Sequence, residues 1–397
     1  MSIGLSYVLV TPYTVAKSRT GGVLSRLLSR TDLDLIGAQM FAPDVDFANK
    51  YANSLRERAP QNQLVLLADY VKQFFAPSGG RPHRTLFLLF KGENPCEQLL
   101  NACGHLYTKH IEVDAIAGET IRDTYADLIF SAENPNEVRY FEPAVLTPRS
   151  QEEAYRDLSL FADFLDTQEN LVRNVVYPDP SKIERTLVII KPDNWTHNSS
   201  RPGTIIDMFS RTGLRIIGIK VHRFSLAQAL DFYGPVEEIL KEKLAESFGK
   251  RAQEILEKEF NFKLSGDLAK NITSSFGAEC ASNQFHQIVE FMSGKRPGSY
   301  SEEEMTMHGS VKCMILVYEG ENAVTKIRDV LGSTDPLKAR DGTVRREFGS
   351  NVMVNTAHAS DSGESYEREK DIVRIYHNSA ATIIKDYIKS QAPSSIG

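Results

Sequence analysis

The chain repeats itself, and a repeat constrains a fold more than any single motif, because both copies must satisfy one backbone plan. The run Tyr7-Val8-Leu9-Val10-Thr11-Pro12 returns as Leu187-Val188-Ile189-Ile190-Lys191-Pro192; both are short apolar runs closed by proline. Residues 22–31 return as 203–212, with Gly22 opposite Gly203 and apolar residues at helical spacing in each. A strand-like run follows each, 33–40 and 214–221, setting Leu35-Ile36-Gly37 opposite Ile216-Ile217-Gly218. Further on, 86–94 mirrors 314–322, the next helical stretch ends at Gly104 or Gly332, and Thr120-Ile121-Arg122 matches Thr343-Val344-Arg345. Short apolar strands alternating with helices predict an α/β protein built as an α+β sandwich. Two tandem ferredoxin-like βαββαβ domains are the natural form.

The expected boundaries are a first copy over 1–165, a linker over 166–183 holding Pro178 and Pro180, and a second copy over 184–380. A tail over 381–397 is expected to be disordered at its end. The second copy holds extra sequence over about 235–283. There Ile239, Leu240, Leu244, Phe248, Ala252, Ile255 and Leu256 recur at helical spacing, which predicts an amphipathic surface helix.

Composition excludes several classes. A net charge of −6 lacks the basic footprint of a general nucleic-acid binder. No apolar run approaches the ~18 residues of a membrane helix, and the start Met1-Ser2-Ile3-Gly4 is unlike a signal peptide. Cys96, Cys103, Cys280 and Cys313 form no Cys-x-x-Cys pair, so neither a disulfide scaffold nor a zinc site is expected. A reducing, cytoplasmic setting follows as the expectation.

The chemistry concentrates late in the second copy. His358 lies in Asn355-Thr356-Ala357-His358-Ala359-Ser360-Asp361-Ser362, between an apolar run and an acidic helix-prone stretch. A neutral imidazole at such a junction can carry a phosphoryl group. Lys191 ends a predicted strand, where its ammonium can reach a phosphate. Arg328, Thr334 and Arg345 add two guanidiniums and a hydroxyl, the donors a triphosphate tail needs. No Gly-x-x-x-x-Gly-Lys-Ser/Thr loop occurs, so the chain is not a P-loop enzyme.

The order and spacing of Lys191, Arg328, Thr334, Arg345, Asn355 and His358 resemble those of the nucleoside diphosphate kinase family, over residues 184 to about 378. The family's usual glycine after the histidine is Ala359 here. The resemblance implies a phosphotransferase working by a ping-pong route. A nucleoside triphosphate gives its γ-phosphoryl to Nδ1 of His358, and a diphosphate such as GDP takes it. It implies that Glu369 orients the imidazole, that Ser360 lies near both, and that Tyr233 is the active-site tyrosine. It places Lys191, Arg328, Thr334, Arg345 and Asn355 on phosphates and ribose. Val352 and Ile288 fall at the base. The family's stacking aromatic falls at Gln284, with Phe285 beside it. Mg²⁺ is expected bridging the phosphates of ATP or GTP, with Asp361 nearby and no dedicated protein metal site.

The first copy lacks this equipment. Thr11 stands opposite Lys191, Leu100 opposite Arg328, and Leu146 opposite His358, while Arg122 survives opposite Arg345. That copy is expected to form no phosphoenzyme and to serve as a structural partner, with residual nucleotide sensing through Arg122 as the lesser reading. A homo-oligomer is implied, since family members assemble from dimers. The rival for the whole chain is a catalytically silent nucleotide-binding or assembly module.

Overall fold

The computed structural model describes residues 3–58, 62–106, 118–134, 137–377 and 379–391. Strands β1 (Ile3–Val10), β2 (Asp34–Phe41) and β3 (Thr85–Glu93) begin the first half; β4 (Asp127–Phe130) and β5 (Val138–Glu142) form a side ribbon, and β6 (Val145–Leu146) completes the main sheet. Its order is β2-β3-β1-β6. The second half has β7 (Ile183–Ile190), β8 (Arg215–His222), β9 (Cys313–Glu321) and β10 (Ala357–Ala359), in the order β8-β9-β7-β10. Both are the ferredoxin-like order with its two crossover helices. The pairing repeats to the residue: β1 meets β3 with Ile3 opposite Glu93, and β7 meets β9 with Ile183 opposite Glu321. The central runs are buried on both faces, as continuous β-branched and leucine stretches require.

Smaller details repeat as well. Asn94 and Asn322 start the following helix with φ of 45° and 54°, and Gly104 and Gly332 end it with φ of 84° and 85°. Arg122 donates to the carbonyls of Gly104 and Val145, as Arg345 donates to those of Gly332 and Ala357.

The halves meet through the helices Thr20–Arg30 and Arg201–Ser210, which pack directly on each other. A Cβ on Gly21 would lie 2.6 Å from the Gly203 carbonyl oxygen, and a Cβ on Gly203 would lie 2.4 Å from that of Gly21. Only hydrogen fits at either position. The expected pairing of Gly22 with Gly203 is therefore off by one: Gly21 is the true counterpart, and Gly22 sits under the Tyr125 hydroxyl. Around this crossing one apolar core takes residues from both halves, including Val23, Leu24 and Leu27 with Ile205, Ile206 and Phe209. A second core belongs to the far face of the first sheet.

Between the halves, residues 167–179 run without regular structure, followed by a short 3-10 turn, Pro180–Lys182. The tail expected from residue 381 is instead mostly helical, Ser379–Gln391. Ala380, Ala381 and Ile384 complete the second core, and Lys385 pairs with Asp166 at 2.6 Å. Apolar side chains at helical spacing gain more by burial than as an exposed tail. Residues 392–397 of that expected tail lie outside the described residues.

Contact density divides the chain differently from the expected linker. Both sheets fall in one compact unit, and the second comprises His222–Cys313 with Asp371–Val373. That unit contains the whole of the extra sequence expected over 235–283. Its first helix, Leu226–Glu259, starts at a Ser225/Gln228 capping box and runs through Pro235 rather than breaking there. The helix Ala278–Ser293 packs against it. Among the described residues no helix is long and apolar enough to cross a membrane.

Candidate functional site

β10 lies along β7 with His358 opposite Ile189, which fixes the histidine near the end of the sheet. The turn before it is strained: Thr356 is fully buried with φ of 76°, in the left-handed region that threonine rarely adopts. Its carbonyl accepts the Lys191 N–H at 2.9 Å and the Asn194 side-chain amide at 2.8 Å. The loop is therefore held by the strand end that carries Lys191.

His358 Nε2 lies 3.0 Å from Glu369 Oε1. Glu369 sits buried on the helix Gly363–Ile372, and its other oxygen accepts the Ser360 hydroxyl at 2.7 Å. Ser360 is itself fixed, donating its N–H to the Leu187 carbonyl at 3.0 Å and accepting the Leu187 N–H at 3.2 Å. A carboxylate only accepts, so Nε2 carries the proton and Nδ1 keeps its lone pair. The side chain is 24% exposed, which leaves the ring approachable.

Lys191 is buried, and its ammonium donates to Asn355 Oδ1 at 2.6 Å. Asn355 is held in turn, its amide donating to the carbonyls of Thr334 at 3.1 Å and Val352 at 2.8 Å. Burial, with Arg345 adding like charge, pushes the Lys191 ammonium down to about 7, while Asp193 opposes the shift. An anion at this point would restore its ordinary basicity. Arg328 and Thr334 are exposed. Asp361 is exposed too, and its carboxyl is held below the ordinary range by the Ser365 hydroxyl, then by Arg328 and His358.

Lys191, Arg328, Thr334, Arg345, Asn355, His358, Ser360, Asp361 and Glu369 all belong to the first compact unit. Tyr233, Phe285 and Ile288 belong to the second. Phe285 is 1% exposed with Lys241 over its ring at 5.3 Å, so it has no face left for a nucleobase. Val352, in contrast, is exposed. Sequence reasoning missed Asp193, Arg201 and Thr356, which share one cluster beside Lys191. The repeat held a signal for Arg201, since Arg19 is its counterpart; a strained φ at Thr356 has no signature in sequence.

The family model described as nucleoside diphosphate kinase matches residues 184–248 and 268–376. The nucleoside diphosphate kinase of Nitratiruptor sp. is 30% identical over 187 residues, covering 47% of this chain and 92% of the relative. That of Bdellovibrio bacteriovorus is 31% identical over 187 residues, covering 47% and 89%. A solved NDP kinase from Pyrobaculum aerophilum aligns over 48% of this chain and 94% of its own at 25% identity, with a TM-score of 0.33. On its second half, this chain belongs to the nucleoside diphosphate kinase family.

Proposed function

We propose that the second half is a working nucleoside diphosphate kinase: His358 Nδ1 attacks the γ-phosphorus of a nucleoside triphosphate, and the phosphohistidine then passes the group to a nucleoside diphosphate. In the first step the P–O bond to the departing diphosphate breaks as the N–P bond forms; the second step reverses this with a new oxygen nucleophile. The observation that carries the reading is the Ser360–Glu369–His358 chain, which leaves the lone pair on the nitrogen facing away from the carboxylate. Once Nδ1 is phosphorylated the ring becomes cationic, and Glu369 then offsets that charge. Lys191, Arg328, Thr334, Arg345 and Asn355 hold the phosphates and ribose, and Val352 borders the base. For Tyr233 and Ile288, in the second compact unit, the roles rest on family resemblance alone.

Arg345 divides its donors. Two go to backbone carbonyls just as in Arg122, so this residue works for the fold in both halves and for phosphate in one. The survival of Arg122 is therefore explained without nucleotide sensing.

Among the described residues no three metal-ligating side chains cluster. A lone ionised carboxylate at Asp361 suits Mg²⁺ that arrives on nucleotide phosphates and keeps most of its waters. The ion would neutralise charge on the bridging oxygens. The first half acts as a permanent structural partner.

The test is incubation with γ-labelled ATP, detection of an acid-labile phosphoenzyme, then addition of GDP and measurement of labelled GTP. Label and transfer are expected. Nucleotide binding without label would establish the silent module instead.

A further inference from the structure

The cluster beside Lys191 contains three residues that the proposed mechanism does not use. Arg201, at the start of its helix, points one guanidinium nitrogen, Nη2, at Asp193 Oδ2 (3.2 Å), Thr356 Oγ1 (3.1 Å) and the Phe348 carbonyl, and stacks over the Phe348 ring at 5.6 Å. Asp193 has its side chain 8% exposed. Its carboxylate faces the backbone N–H of Thr356 and the charges of Arg201 and Lys191. So one buried carboxylate shares the Arg201 guanidinium with the strained residue of the histidine loop, and its charge acts on the Lys191 ammonium.

The first half supplies an internal control. Arg19 donates to the Tyr125 carbonyl at 3.1 Å and stacks over the Tyr125 ring at 5.8 Å, as Arg201 does with Phe348. That part of the arrangement survives where the histidine position is leucine, so it serves the fold. The rest does not survive. Asp193 is replaced by Tyr13, and Thr356 by Ala144, which keeps a left-handed φ of 60°. There the N–H of Ala144 is held by Glu142 at 3.0 Å, two residues before it, and Thr11 in the lysine position bonds the same oxygen at 2.7 Å. Both halves thus anchor the left-handed residue with a carboxylate. Only the second half draws that carboxylate from beside the lysine.

We propose that Asp193 and Thr356, joined by Arg201, form a positioning set that holds the 355–358 loop in register with Lys191 and keeps the ammonium charged for phosphate. The proposal rests on the kinase reading for its catalytic consequence, but its physical content concerns phosphate binding alone. Thr356→Val preserves shape and β-branching while deleting the hydroxyl that Arg201 holds. Asp193→Asn preserves an acceptor for the Thr356 N–H while deleting the charge. The charged groups facing Lys191 are Arg345, which lowers its basicity, and Asp193, which raises it. Loss of the Asp193 charge therefore moves Lys191 deprotonation to lower pH.

The experiment measures ADP binding to the full chain from about pH 5.5 to 9, with phosphoenzyme formation alongside. Wild-type binding should weaken as pH rises through the Lys191 titration. Asp193→Asn should move this fall to lower pH, a displacement that a merely structural defect does not produce. Thr356→Val should leave the fall in place and lower the rate of phosphoenzyme formation about tenfold, the scale of one hydrogen bond to a charged group. Arg201→Lys should reproduce the Thr356→Val loss in part. An unmoved pH profile in Asp193→Asn, or a full rate in Thr356→Val, overturns the proposal. Wild-type ADP binding without label overturns the kinase reading alone, and the binding profile of Asp193→Asn still decides the positioning set. No wild-type binding at any pH overturns both.

Discussion

The two halves share strand order, pairing register, helix caps and the arginine that staples two carbonyls, yet they use the same positions for opposite ends. At the lysine position the second half buries an ammonium and the first buries Thr11. At the histidine position the second half exposes an imidazole edge and the first buries Leu146. The carboxylate that orients the ring, Glu369, has a counterpart in Asp157, equally deep on the matching helix. Asp157 accepts from the Tyr7 and Ser54 hydroxyls and pairs with Arg58, so it is spent on packing. Glu142, which Tyr70 and Thr11 also contact, adds a buried acidic group next to the empty lysine position; burial raises its pKa above the ordinary carboxylate value. The lesson is that the matching positions of the first half hold no void: they are filled with hydrogen bonds and apolar contacts.

The largest test of that contrast is His358→Asn, which should abolish phosphoenzyme formation, while Leu146→His should restore none. Labelling of the histidine introduced at Leu146 would mean that Thr11 and Leu100 do not disable the first half. Next is Lys191→Met, expected to weaken nucleotide binding about a hundredfold at neutral pH. It should also raise the melting temperature. Lys191 titrates at about 7 in the fold and in the ordinary lysine range when unfolded. The folded protein therefore binds fewer protons across that window. The stability lost to the buried charge is full below about pH 7 and shrinks as pH rises toward about 10. The stability gain of Lys191→Met should follow the same course. Equal stability at all pH values would show that the charge is not confined.

A smaller effect is expected at the crossing of the two halves. Gly21→Ala and Gly203→Ala should each destabilise by about 1–3 kcal/mol, the usual scale of overpacking. The two values should be close because each Cβ meets the other helix's backbone. A large inequality in denaturant melts would break the symmetry argument. The smallest effect belongs to Glu142→Gln, which should leave kinase turnover unchanged and alter stability by about 1 kcal/mol. A change in turnover would couple the Glu142 region of the first half to the His358 region of the second.

Much of this was legible in the sequence because repetition carries three-dimensional information. The strand pattern and the helix-ending glycines Gly104 and Gly332 follow from local spacing, whereas the partners of His358, Ser360 and Glu369, were implied only by the family resemblance. The geometry pairs Lys191 with Asn355, and joins His358 to Glu369 and Ser360. What escaped was set by contacts distant in sequence. Gly21 rather than Gly22 is defined only by a backbone more than a hundred residues away. The reach of the Leu226–Glu259 helix through Pro235 depends on tertiary packing that overrides a local breaker. Phe285 sat beside the expected stacking position, but its burial is a property of its neighbours.

The helix Ser379–Gln391 carries one more consequence. It follows the second half in the chain, yet it closes the core of the first half against the Gln151–Asp166 helix and β2. During synthesis the first half therefore waits with an open apolar face until the whole of the second has emerged. The order of manufacture and the order of completion run in opposite directions, and the second half is enclosed in sequence by the parts of the first.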